Sequence, residues 1–262
     1  MARILAIANQ KGGVGKTTTS VNLSACLAEL GQRVLMIDLD PQGNATTGCG
    51  IVKREALPTV YQVLIGEASF DSARLKTDFG FDILPSNREL AGAEVELIEV
   101  QQREFRLRDV LRGVGELYDF VIIDCPPALN MLTVNGLVAA QSVMIPMQCE
   151  YYALEGLTDL VTTLRKVRAN LNPVLKIEGL LRTMYDPRST LTQQVSGELE
   201  SHFGDKVYRS IIPRNVRLAE APSYGKPVIA FDRGSRGAAA YLALAQEILE
   251  RRDEPAGAGS LN

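Results

Sequence analysis

The chain has a single histidine, His202, and no tryptophan. One imidazole removes histidine-based catalytic triads and multi-histidine metal sites from consideration. His202 itself sits in a helical, polar stretch and reads as a surface residue. Cysteine is scarce as well: Cys26, Cys49, Cys125 and Cys149 show no C-x-x-C spacing, so neither a zinc site nor a disulfide framework is signalled. Cys26 and Cys125 fall in apolar segments and read as small core residues. No apolar run approaches the roughly eighteen residues that a membrane span requires. The first strand begins at once, leaving no room for a signal peptide, so a cytoplasmic chain is expected. Excess charge is missing too. The 28 Lys and Arg against 31 Asp and Glu leave a net charge of −3, and any nucleic-acid binding must come from a local patch. No internal repeat appears.

What is present is an ample core for one large α/β domain: 46% of the 262 residues are hydrophobic. Strand and helix patterns alternate, which predicts right-handed crossovers and a mostly parallel sheet. We expect a single domain over residues 1–252 and a disordered tail over 253–262, where Asp253-Glu254-Pro255 is followed by small residues.

The organising stretch is Asn9-Gln10-Lys11-Gly12-Gly13-Val14-Gly15-Lys16-Thr17-Thr18, entered from the apolar run Ile4–Ala8 and left through an amphipathic run ending at Gly31. Strand, glycine-rich loop, helix is the order that points successive backbone N–H groups into one concavity, where a helix N-terminus adds partial positive charge. Phosphate is the expected ligand. Lys16 supplies a mobile cation and Thr17 a hydroxyl of the kind such loops place on Mg²⁺. Two further apolar runs end in carboxylates: Val34-Leu35-Met36-Ile37-Asp38-Leu39-Asp40 and Phe120-Val121-Ile122-Ile123-Asp124. Ligands of open α/β sheets sit at the carboxyl ends of strands, which turns Asp38, Asp40 and Asp124 toward the nucleotide. Taken alone, Asp38 and Asp40 read equally well as loop or helix-cap carboxylates. Helices are expected over 59–65, closed by Gly66, over 130–140 behind an Asn130 cap, after Glu150–Gly156 to about Leu171, and from about Ser235 to Arg252. Residues 87–112 carry apolar positions at helical spacing: Leu90, Ala93, Leu97, Val100, Leu107 and Leu111.

Lys-Gly-Gly-Val-Gly-Lys-Thr-Thr departs from the ordinary phosphate-loop pattern by placing Gln10 where a glycine is usual and adding Lys11. It resembles the deviant Walker A motif of the ParA/MinD group of ATPases. Asp38-Leu39-Asp40-Pro41-Gln42-Gly43-Asn44 and Ile211-Ile212-Pro213-Arg214-Asn215 are similar to two more strings of that family, and the likeness runs to about residue 250, nearest to the short chromosomal ParA proteins also called Soj. The resemblance implies a three-layer P-loop NTPase fold that uses ATP and Mg²⁺. It implies that Gly12, Gly13, Val14, Gly15, Lys16, Thr17 and Thr18 wrap the phosphates, and that Lys11 reaches the nucleotide of a second copy. Asp40 would activate water, Asp38 and Asp124 would hold the metal's shell, and Pro213, Asn215 and Met184 would meet the adenine. It further implies a nucleotide-dependent homodimer, a ParB-type partner, non-specific double-stranded DNA and a place on the nucleoid. Basic residues concentrate in the C-terminal third, and Arg188, Arg217 and Arg236, then Lys206 and Arg209, are the candidate DNA contacts; any one of them reads equally well as a surface salt-bridge residue. The rival is a membrane-associated ATPase like MinD, which an acidic, glycine-rich tail does not favour. A metabolic P-loop enzyme or an iron–sulfur ATPase lacks a supporting cysteine pattern.

Replacing Lys16 with Ala should weaken ATP binding by at least about ten- to a hundredfold, the worth of one charged hydrogen bond. Titration calorimetry that finds wild-type affinity in that variant removes Lys16 from the site.

Overall fold

A computed structural model describes residues 2–253 of the chain. The expected disorder over 253–262 therefore falls, beyond its first residue, outside the described residues. Eight strands form one sheet: β1 Arg3–Ile7, β2 Val34–Asp38, β3 Leu75–Lys76, β4 Asp82–Leu84, β5 Phe120–Asp124, β6 Ser142–Gln148, β7 Lys176–Tyr185 and β8 Val207–Pro213, in the order β3-β4-β2-β5-β1-β6-β7-β8. Every pairing is parallel except β3 with β4. The longer helices are α1 Lys16–Glu29, α2 Arg106–Arg112, α3 Met131–Ala139, α4 Ala153–Asn170, α5 Thr190–Phe203 and α6 Arg236–Asp253.

Alternation along the central strands sorts their side chains into two cores, one on each side of the sheet. Leu5 and Ile7, Val34 and Met36, and Phe120 and Ile122 pack with Leu23 and Leu27 of α1 and Tyr241, Leu244 and Ile248 of α6. Their neighbours Ala6, Leu35, Ile37, Val121 and Ile123 face the other way, onto Leu107 and Leu111 of α2, Leu132 and Leu137 of α3, Leu160 and Leu164 of α4, and Leu199 of α5. Strands buried on both faces read as unbroken apolar runs, which is why these segments stand out in the sequence. All four cysteines are buried and unpaired, as expected for Cys26 and Cys125, and His202 is an exposed helix residue.

Thr59 caps a short helix over Val60–Ile65 that ends at Gly66 in the left-handed region, and Asn130 caps α3 through the N–H of Thr133. The stretch 87–112 differs from its sequence pattern. Instead of one helix it is a string of short turns, broken by extended Val100 and left-handed Gln102, before α2 begins. A tertiary contact causes the restart. The buried Asn135 of α3 accepts from the N–H of Leu107 and donates to the carbonyl of Arg103, supplying the start of α2 from another element. Five of the six apolar positions are buried all the same, and Val100 is half-buried. Strand β3 is too short to register as a pattern.

A buried side chain ties α6 to β8. Glu247 of α6, only 3% exposed, accepts from the backbone N–H groups of Arg209 at 2.9 Å and Ser210 at 2.8 Å. Gly225 packs against Gly50. A Cβ on Gly225, whose φ is +62°, would lie 2.9 Å from the Gly50 Cα. Gly225→Ala should accordingly lower stability by about 1–3 kcal/mol through clash and left-handed strain. Scanning calorimetry reads this as a melting point several degrees lower.

Candidate functional site

Strand β1 lies between β5 and β6, where the chain's connections change direction, so the crevice at its carboxyl end is the natural ligand position. The loop that follows is pinned from three sides. Asn9 donates to the Pro146 carbonyl and accepts from the Lys11 N–H. The Thr183 hydroxyl donates to the Val14 carbonyl, and the Gln148 amide donates to that of Gly13. Gly13 and Gly15 hold φ of 73° and 87°, a region that favours glycine.

Helix α1 then begins on Gly15 with no side-chain cap and no acidic residue in its first turn. No side chain among the described residues caps its leading N–H groups, the arrangement that suits an anion. Lys16 stands beside them, 7% exposed, its ammonium donating to the Lys11 carbonyl at 3.0 Å. Burial lowers its pKa, and the nearby Asp124 carboxylate is the largest opposing influence.

Asp38 and Asp124 are register partners across β2 and β5, both fully buried. Burial raises both pKa values. For Asp124 the neighbouring Asp38 charge adds to this and the Ser20 and Thr17 hydroxyls oppose it; for Asp38 its hydrogen bonds to Thr46 and Asp40 oppose it. The two differ in how their oxygens are used. Asp38 accepts from the Asp40 N–H, the Thr46 N–H and the Thr46 hydroxyl. Asp124 Oδ1 accepts from Ser20 at 2.8 Å, while Oδ2 has no hydrogen-bond partner among the described residues. An unpartnered buried carboxylate oxygen near the Thr17 hydroxyl fits a hard divalent cation such as Mg²⁺, which takes oxygen ligands and keeps several waters. No cluster of three or more His, Cys, Asp and Glu exists among the described residues. A metal here draws its other ligands from phosphate and water.

Two clefts meet at Gly15, Thr18 and Met184. One, of about 300 Å³, is walled by the phosphate loop, Asp40, Asn44 and Pro127. The other, of about 240 Å³, is mostly apolar and holds Pro213, Asn215, Ile212, Leu218 and Tyr241. A polar compartment for phosphates joined to an apolar slot for a base suits a nucleotide. The structure thus brings together Gly12, Gly13, Gly15, Lys16, Thr17, Thr18, Asp40, Met184, Pro213 and Asn215, with Val14 buried beneath the loop. Met184 holds a φ of 49°, unusual for a non-glycine residue. Lys11 stands at the mouth, half-exposed, paired with Glu150 at 2.6 Å.

The basic candidates divide. Arg188 follows β7, Arg217 follows β8, and Arg236 opens α6, whose next residue Gly237 packs against Leu218, so these three lie toward the carboxyl ends of the strands. Arg188 pairs with Asp186, pulling that carboxylate down to about 2; Arg217 pairs with Glu220 and Asp232. Lys206 precedes β8 and Arg209 is its third residue, about 23 Å and about 13 Å before Pro213 at 3.3 Å per residue, so these two stand back from the other three. Arg182, basic in sequence, is 4% exposed and bound to Ser196, Glu200 and the Tyr208 carbonyl. Sequence reading passed over Ser20, Thr46, Ser86, Gln148 and Thr183. Only Ser20, one helical turn after Lys16, carried a signal in its spacing.

Comparison with known proteins agrees with this geometry. The family model for an AAA domain matches residues 2–177. The chain is 53% identical over 260 residues to "Chromosome partitioning protein ParA" of Caulobacter vibrioides, covering 98% of this chain and 97% of that protein. It is 55% identical over 249 residues to "Sporulation initiation inhibitor protein Soj" of Bacillus subtilis, covering 95% and 98%. Among solved structures it resembles cobyrinic acid a,c-diamide synthase from Mycobacterium smegmatis with bound ADP and magnesium, at 39% identity and a TM-score of 0.85, covering 96% of each chain.

The raised carboxylates fix a pH dependence. A folded-state pKa above the unfolded value stabilises at low pH, and that contribution is lost as pH climbs from about 4 to about 8. Nucleotide-free protein should therefore melt lower at pH 8 than at pH 6. Asp124→Asn removes one buried charge and should melt a few degrees higher at pH 8, about 1–2 kcal/mol. It should also lose any stabilisation by Mg²⁺ with nucleotide. Thermal melts across pH, with and without Mg²⁺ and ADP, check both.

Proposed function

The chain belongs to the ParA/Soj family of chromosome-partitioning ATPases, and on that footing we propose that it is an ATP-driven DNA-partitioning switch. ATP with Mg²⁺ fills the joined clefts. The α1 N-terminus and Lys16 take the outer phosphates, Thr17 and Asp124 hold the metal, and Pro213, Asn215 and Met184 meet the base. Mg²⁺ supplies charge neutralisation of the phosphates when bound. Asp40, beside the phosphate loop, orients and deprotonates the attacking water.

Two copies close over their nucleotides. The observation that carries this reading is at the loop entrance. Lys11 is exposed and has no phosphate-facing task in its own copy that Lys16 does not fill. Gly12 is exposed, and a Cβ there would meet nothing within 4 Å. A glycine that its own fold does not require suits the close approach of another backbone. Closure sets the Arg188, Arg217 and Arg236 groups of two copies on one polyanion, and doubled phosphate contacts turn weak binding into useful avidity. Hydrolysis, stimulated by a ParB-type partner, opens the pair and releases DNA.

No described helix is long and apolar enough to cross a membrane. A synthase, the name carried by the M. smegmatis relative, would show ATP turnover that depends on a small-molecule acceptor rather than on DNA and a protein partner.

Asp40→Ala should retain ATP binding and ATP-dependent dimerisation while turnover drops by about 10²–10⁴. With DNA present it should stay bound. Size-exclusion chromatography with ATP, ADP or neither, alongside plasmid retention, reads both properties. A variant that stays monomeric with ATP assigns Asp40 another task. Arg217→Glu should weaken DNA retention without altering dimerisation.

A further inference from the structure

The loop that carries Asp40 is gripped from behind. Its N–H donates to Asp38 Oδ1 at 3.1 Å, and its carbonyl accepts from the Ser86 hydroxyl at 2.8 Å. One residue joins the two grips. The Thr46 hydroxyl donates to Asp38 Oδ2 at 2.8 Å and accepts from the Ser86 N–H at 2.9 Å. Thr46, Ser86 and Asp38 are all fully buried. The ring therefore runs from Asp40 through Asp38, Thr46 and Ser86 back to Asp40, with each polar group satisfied by another member.

The surroundings leave this loop little freedom on its inner side. Gly43 lies so close to the segment after β4 that a Cβ on it would sit 2.7 Å from the Ser86 carbonyl oxygen. Lys53 donates to the Gln42 carbonyl across the outer side at 2.7 Å. Asp40 lines the same cleft as Gly12, Lys16 and Thr17, together with Asn44, and its Oδ1 accepts from the Gln42 N–H at 2.9 Å.

We propose that Thr46 is a positioning residue for hydrolysis: its hydroxyl couples Asp38 to Ser86 and so fixes the backbone on both sides of Asp40. The inference rests on reading Asp40 as the group that activates water. A general base works only within hydrogen-bond reach of the proton it takes, so an error of an ångström in its backbone costs rate without costing nucleotide affinity. Asp38 serves this ring with both oxygens, whereas Asp124 keeps one free. The paired carboxylates thus divide the work: one holds the loop and the other faces the ligand.

Thr46→Val keeps the shape and removes the hydroxyl; Thr46→Ser keeps the hydroxyl. The expected result for Thr46→Val is a kcat about ten- to a hundredfold lower, with affinity for Mg·ADP within about twofold of wild type. Thr46→Ser should recover most of the rate. Hydrogen exchange of amides 40–47 in nucleotide-free protein should speed up in Thr46→Val and not in Thr46→Ser. A wild-type kcat in Thr46→Val overturns the proposal, as does a parallel loss of rate and ADP affinity, or a Thr46→Ser no better than Thr46→Val. The exchange measurement needs no turnover. A wild type that hydrolyses no ATP overturns the ATPase reading and with it the role in hydrolysis, whereas unaltered exchange in Thr46→Val overturns the ring as a support for the loop.

Discussion

The first turn of α1 carries N–H groups that no side chain among the described residues caps, and much of the molecule is arranged around that deficiency. Strands β5 and β6 flank β1 and fix where its carboxyl end emerges. Asn9, Gln148 and Thr183 tie the loop to the strands on its β6–β7 side, so the helix start is held rigidly and stays uncapped. Side chains that commonly cap a helix would fill the space and end its affinity for anions. A buried lysine beside the opening, its charge disfavoured by desolvation, adds to the same imbalance. Phosphate relieves both at once.

The carboxylates opposite pose the complementary problem. Two acids paired across adjacent strands, both out of water, repel one another and hold protons more firmly than free aspartate. The chain eases this for Asp38 with three protein donors and leaves Asp124 with an empty oxygen. On the function proposed above, a cation beside Asp124 would offset this repulsion.

Much of this was legible in the sequence because strands buried on both faces leave continuous apolar runs, and Asp38 and Asp124 terminate two of them. The glycine loop, its flanking strand and helix, the stop at Gly66 and the cap at Asn130 follow from local chemistry. The 87–112 stretch did not, since its restart at α2 depends on Asn135, a residue thirty positions away with no local signature. Thr46 and Ser86 were invisible for the same reason: forty residues separate two partners in one hydrogen bond. Charge was legible in number and not in place. Arg182 looks like Arg188 in a sequence, yet one is buried beneath α5 and the other projects into water. The spacing of the remaining cations along β8 requires the sheet itself.

Glu247 gives the outer rim of the sheet an unusual finish. It accepts from two successive main-chain N–H groups where the β7–β8 register shifts, and so ties α6 to the last strand. The opposite rim is a two-residue strand, too short to template anything. A side chain fastened to the strand at one border and brevity at the other thus each limit how much main chain a neighbouring strand could pair with.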